Sequence, residues 1–215
     1  MPKPKKELAL DCELPTPVHC NGNIICAIDI ETTGLQAGFN DLVQIAVVVL
    51  DHEFKPNKSV PFFYTDLKPL RPDNAHPKAF VKNGLSLAKL INNGIDPWKA
   101  GELFIEWFEK LNLKEGKKIM PLGFNYDFDK SFLIEWLGPE TYNQLFDHNP
   151  RDVYHAISFI NDKMWWKADP IQFPKKSLAY VANILGIKPA NSHDALSDAI
   201  TSAEAWRRLL TGVPV

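Results

Sequence analysis

Ile24-Ile25-Cys26-Ala27-Ile28-Asp29-Ile30-Glu31-Thr32-Thr33-Gly34-Leu35 is an apolar run that ends in two acids and a turn of small residues. Such a run, with no polar alternation until its end, reads as a strand buried on both faces. Working outward, Leu42-Val43-Gln44-Ile45-Ala46-Val47-Val48-Val49-Leu50 is rich in β-branched residues and reads the same way. Residues 60–64 are a third strand candidate and residues 117–124 a fourth. A helical pattern is expected over residues 77–92. Another covers 100–111, where Leu103, Phe104, Trp107, Phe108 and Leu111 keep helical spacing. Further helices are expected over 128–137, 152–161, 176–185 and 194–210. Strands first, then strands alternating with helices, predict an α/β domain with a mixed sheet flanked by helices.

The 215 residues, 45% hydrophobic and 23% charged, suffice for one globular core. Residues 1–22 hold Pro2, Pro4, Pro15 and Pro17 without periodicity and read as a tail or arm, leaving 23–212 as the domain. No apolar run reaches the roughly 20 residues of a bilayer span. The basic N-terminus lacks a signal peptide's apolar stretch, so an intracellular, cytoplasmic protein without a membrane partner is expected. Cys12, Cys20 and Cys26 are odd in number and lack zinc-ligand spacing, so they read as reduced thiols, with Cys26 inside a core strand. A net charge of −2 gives no overall basic footprint for nucleic acid. A cluster of metal-binding carboxylates would nevertheless subtract charge at the place where cations restore it.

Three acidic clusters stand out. Asp29 and Glu31 share one side of a strand end, because side chains alternate with a period of two. Like charges held that close are costly to keep ionised without a cation. The triplet type recurs at Asp11-Cys12-Glu13 in the tail and at Asp51-His52-Glu53 before a turn, so on its own the pair reads as a surface turn or as a metal site. The second cluster is Gly123-Phe124-Asn125-Tyr126-Asp127-Phe128-Asp129, where a strand meets a helix at the usual place for a site on a parallel sheet. Either aspartate could instead cap that helix. In the third, Ser192-His193-Asp194-Ala195-Leu196-Ser197-Asp198-Ala199, the stripe Leu196, Ala199, Ile200, Ala203 marks a buried helix face. Asp194 has the position of its cap, and His193 taken alone is a capping or surface histidine.

Taken in order, D-I-E-T-T-G-L, N-x-x-F-D-x-x-F-L and H-D-A-L-S-D-A resemble the DEDDh (DnaQ-like) 3′→5′ exonucleases, whose fold is ribonuclease-H-like with a five-stranded mixed sheet. The resemblance runs from about Asn23 to Leu210. It implies a hydrolase that releases nucleoside 5′-monophosphates from a free 3′ end, with Asp29, Glu31, Asp129 and Asp198 as ligands of two divalent ions, Mg²⁺ or Mn²⁺. His193 would be the general base, and Asp127 falls on a position that the family leaves free. The backbone of Thr32, Thr33, Gly34 and Leu35 would meet the terminal nucleotide, with Asn125 and Phe128 near it and the Leu35 side chain as a wedge under the last base; plain core packing is the other reading of Leu35. The ligand chemistry agrees: hard cations prefer oxygen donors, and two of them can neutralise both the phosphoryl oxygens and the leaving oxygen.

Phe124, Gln44 and Asn83 depart from residues frequent in the family (histidine, glutamate and histidine), at positions that are not metal ligands. Met164-Trp165-Trp166-Lys167 has no counterpart in it, and reads as packing or as a stacking platform for upstream bases. Single-stranded DNA is the expected substrate. An RNA-trimming exoribonuclease and a non-catalytic nucleic-acid-binding domain are the alternatives. A polymerase or repair partner, the pathway and the oligomeric state leave no mark in the sequence.

Overall fold

Alternate residues of the first strand divide the core. In the computed structural model, which describes residues 18–191 and 193–212, Ile24, Cys26, Ile28 and Ile30 face one buried cluster and Ile25 and Ala27 face another. Cys12 and the Asp11-Cys12-Glu13 triplet lie outside the described residues, as does most of the expected tail. Chain order runs β1 (Ile24–Thr32), β2 (Leu42–Val49), β3 (Phe63–Asp66), α1 (Pro77–Asn83), α2 (Leu87–Asn93) and α3 (Pro97–Lys110). It continues β4 (Ile119–Gly123), α4 (Tyr126–Leu137), α5 (Pro139–Leu145), β5 (Arg151–Asp152), α6 (Val153–Trp166), α7 (Leu178–Ile184) and α8 (Ala195–Thr211).

The sheet has the order β3-β2-β1-β4-β5. β2 is antiparallel to β1 and β3, whereas β4 runs parallel to β1 and β5 parallel to β4. This is the expected α/β, ribonuclease-H-like arrangement of five strands. On one face Phe104 of α3, Phe132 and Leu133 of α4 and Phe146 after α5 pack on Ile24 to Ile30. On the other, Ala195, Ala199 and Ala203 of α8 meet Ala27, Ala46, Val48 and Leu122. Their small side chains let α8 lie close on the sheet, and a large residue at the fully buried Ala199 would cost about 1–3 kcal/mol of overpacking. Asp29 and Glu31, in phase with Ile25 and Ala27, therefore belong to the α8 face.

Several boundaries differ from expectation. The helix expected over 77–92 is two helices, because Gly84 takes a left-handed φ of 68° and its N–H closes α1 on the Phe80 carbonyl. Ser86 then caps α2. The third strand starts at Phe63 rather than 60, and α5, absent from the sequence reading, starts directly at Pro139 after Gly138. α6 continues past residue 161 to Trp166. Cys20 and Cys26 are free and buried, as expected of reduced thiols. No helix among the described residues is long and apolar enough to cross a membrane.

Candidate active site

The carboxyl ends of β1 and β4 open into a cleft of about 1030 Å³, and each of the three acidic clusters reaches it. β1 delivers Asp29 and Glu31 to its floor. Asp129 comes from the first turn of α4, 5% exposed, while Asp127, two residues earlier on that helix, points to solvent and does not line the cleft. Two positions on a helix are about 200° apart, so one acid of this pair can face the floor and the other cannot. His193 and Asp198 come from the loop before α8 and its first turn. One ligand atom each from Glu31, His193 and Asp198 lie within 4.8 Å of one another.

The charge state shows what the floor lacks. Burial raises the pKa of Asp29 well above the carboxylate range, and Asp129, Asp198 and Glu31 push it further in the same direction. Glu31 is pushed up to about 7, first by burial and then by Asp198, with partial relief from Lys82 on α1 and the Asn83 amide. Asp129 is raised by burial, partly offset by backbone N–H groups of its own residue and of Ile30. Burial also raises Asp198, against the pull of His193. Four carboxylates that resist ionisation together, with His193 beside two of them, form a site whose chemistry fits a divalent cation.

Local backbone geometry sets these side chains. Asn125 takes the left-handed region (φ 62°, ψ 49°), which turns the chain sharply from β4 into α4. Buried Asp152 holds that corner: its Oδ1 accepts from the backbone N–H of Asn125 (3.1 Å) and Tyr154 (2.8 Å), and its Oδ2 from Tyr126 (2.9 Å). One carboxylate thus ties the start of α4 to the start of α6. His193 also sits at positive φ (63°), and its N–H donates to Asp198 Oδ2 at 3.3 Å. Asp194 is the helix cap that its position suggested, accepting from Ser197 N at 3.1 Å.

The turn after Glu31 divides the expected nucleotide contacts. Thr32, Gly34, Leu35, Asn125 and Phe128 line the cleft. Thr33 is not among the lining side chains: it is fully buried, and its hydroxyl accepts from Asp41 N at 2.9 Å, which braces the loop. Leu35 is 87% exposed, which excludes the core reading. Its loop is fixed by Asn40, which accepts from Gln36 N and donates to the Asn74 carbonyl, and by Arg71 on Asp41 at 2.8 Å. The opposite wall carries Phe124, Tyr154 and Lys176, whose Nζ lies 5.0 Å from the Tyr154 ring centre. Lys82, Tyr154 and Lys176 escaped the sequence reading, because each lies outside the motifs and only the fold brings it to the site. Trp165 and Trp166 are exposed but sit at the far end of α6 and do not line the cleft.

A ribonuclease-H-like sheet with four convergent acids and an adjacent histidine defines a nuclease-type hydrolytic site. The family model for RNase_T, an exonuclease family, matches residues 26–206, and the chain belongs to that family. The 3′-5′ DNA exonuclease Cap18 of Escherichia coli is 30% identical over 185 residues, covering 86% of this chain and 90% of that protein. The fold is shared with the zinc-bound E. coli exonuclease I–single-stranded DNA complex (TM-score 0.69, 18% identity, 89% of this chain). It is shared too with cell-death related nuclease 4, CRN-4 (TM-score 0.67, 17% identity, 89% of this chain). The chain spans 41% of the exonuclease I chain and 64% of the CRN-4 chain.

Proposed function

We propose that the chain is a divalent-metal-dependent 3′→5′ exonuclease that removes nucleoside 5′-monophosphates from single-stranded DNA. The observation that carries this reading is the convergence of Asp29, Glu31, Asp129, Asp198 and His193 on one cleft floor. Mg²⁺ or Mn²⁺ held by the four carboxylates supplies positive charge for the phosphoryl oxygens and the leaving O3′. His193, beside Glu31 and Asp198, accepts a proton from the attacking water. The water oxygen bonds to phosphorus, the P–O3′ bond breaks, and the departing O3′ takes a proton from solvent while His193 returns its own, so the shortened strand ends in a 3′-hydroxyl. Leu35, exposed on a braced loop, parts the terminal base from its neighbour, with Phe128 and Asn125 beside it. The DNA preference draws on Cap18, named a DNA exonuclease, and on the single-stranded DNA held by exonuclease I. Cytoplasmic location belongs to the same proposal and fits the free thiols of Cys20 and Cys26.

The test is the degradation of 5′-labelled single-stranded DNA and RNA of one sequence, with Mg²⁺ and with EDTA, by native protein and His193→Ala. A ladder of single-nucleotide steps on DNA is expected, abolished by EDTA and slowed roughly 10²–10⁴-fold in the variant. Faster shortening of RNA would make the chain an exoribonuclease. Binding without shortening would make it a nucleic-acid-binding domain.

A further inference from the structure

Two rows of side chains cross the sheet towards α8. In the strand register Glu31 lies opposite Gln44, which lies opposite Asp66; Asp29 lies opposite Ala46, which lies opposite Tyr64. Residues paired in this way share a face and sit within contact distance. The edge strand β3 therefore presents Tyr64 and Asp66 on the face that carries the acids of the cleft floor.

Gln44 is 2% exposed and fully bonded. Its Oε1 accepts from the backbone N–H of Ala195 at 2.9 Å, at the first residue of α8. Its Nε2 donates to Asp66 Oδ1 at 2.8 Å and to the Tyr64 hydroxyl at 3.0 Å. Tyr64 in turn donates to Asp194 Oδ2 at 2.8 Å. These partners settle which way the carboxamide points, since a backbone N–H requires an acceptor and a carboxylate a donor. A neutral group that both accepts and donates is needed at this place: the row already holds Glu31 on one side and Asp66 on the other, and a third carboxylate would have no counter-charge. Asp194 and Ala195 directly follow His193, whose backbone is in the sparsely populated left-handed region. A residue in that conformation persists only where its surroundings hold it.

We propose that Tyr64 and Gln44 form a latch, reaching from the sheet edge to Asp194 and Ala195, that positions His193 over the acids. The proposal rests on the role of His193 in the function proposed above. Neither latch residue touches substrate or lines the cleft; both act through the loop as positioning residues. Tyr64 is partly exposed on an edge strand, so Tyr64→Phe removes one hydroxyl without opening a core cavity.

Steady-state kinetics on a short single strand test the latch. Tyr64→Phe removes the bond to Asp194 and the one from Gln44, and should lower kcat about tenfold, the scale of losing the charged one, with KM unchanged. In a His193→Ala background the same change should lower the rate no further, because a residue acting through His193 has nothing left to position. Gln44→Glu, which keeps the acceptor, loses both donations and adds a carboxylate to the row, should lower kcat at least as far in the native background. Equal losses in both backgrounds, or none in the native one, overturn the latch. Amide hydrogen exchange gives a readout independent of activity. The Ala195 and Ser197 amides should exchange faster in Tyr64→Phe, and unchanged protection overturns the proposal. If His193→Ala itself keeps the native rate, it is the base assignment that falls, and the exchange rates decide the latch alone.

Discussion

Replacing Asp152 by asparagine exchanges one acceptor oxygen for a donor at the corner that joins α4 to α6. The amide would keep its oxygen towards Asn125 and Tyr154, the side with more bonds, and so turn its NH₂ towards the Tyr126 N–H. That N–H is deeply buried, with Tyr126 only 1% exposed, and loses its partner. Losing a buried bond to a charged acceptor costs about 1.5–3 kcal/mol. The remaining bonds become neutral and weaker, and two helix N-termini lose a negative charge worth about 0.3–1 kcal/mol each. The whole effect is about 3 kcal/mol, or about 6–12 °C in Tm for a chain of this size. Because Asp129 lies in the first turn of α4, the loosened corner should also raise the Mg²⁺ concentration for half-maximal activity several-fold. Thermal unfolding with EDTA measures the first effect and a Mg²⁺ titration of strand degradation the second. Native stability and a native Mg²⁺ midpoint in Asp152→Asn would refute the account of this corner.

Other outcomes follow from the same geometry. Asp129→Asn should reduce turnover by orders of magnitude, whereas Asp127→Asn, at an exposed position, should leave it within a few-fold; the reverse pattern in a rate assay would reject the ligand assignment. Glu31 has a folded pKa raised from its ordinary 4.5 to about 7, so its contribution to stability is present at low pH and is lost as pH rises through about 7. Asp29, Asp129 and Asp198 are raised too, so the rise in Tm on adding Mg²⁺ should grow between pH 5 and pH 8, and a gain independent of pH in thermal-shift measurements would contradict the charge account. Leu35→Ala should leave Tm unchanged and lower kcat/KM on single strands and blunt duplexes alike, with native protein preferring the single strand; equal native cutting of both, unaffected by the substitution, would remove the wedge.

How far the sequence spoke depended on scale. β1 and β2 were legible because both strands are buried on two faces and so appear as unbroken apolar runs. β5 was not, since two residues carry no period, and α5 is too short to show one. At the site, motif order gave the candidate acids and set Asp129 apart from Asp127, and helix geometry agrees by burying the first and exposing the second. The burial of the Thr33 side chain was not legible: the β1–β2 register shifts between Glu31 and Thr32, and beyond that irregularity the alternation of faces no longer assigns a side chain. Gln44, Tyr64 and Asp152 act through partners roughly 20 to 150 residues away, such as Ala195 for Gln44, and no local pattern encodes such a pairing.

The docking of α8 across β1 and β2 bears on the site as well. In chain order Asp29 and Glu31 precede Asp129, and His193 and Asp198 follow with α8. Without that helix on its alanine stripe, Asp29, Glu31 and Asp129 would have neither His193 nor Asp198 beside them. Docking of α8 is thus the packing event that completes the candidate site, so the stability of that one helix against the sheet and the integrity of the site rise and fall together.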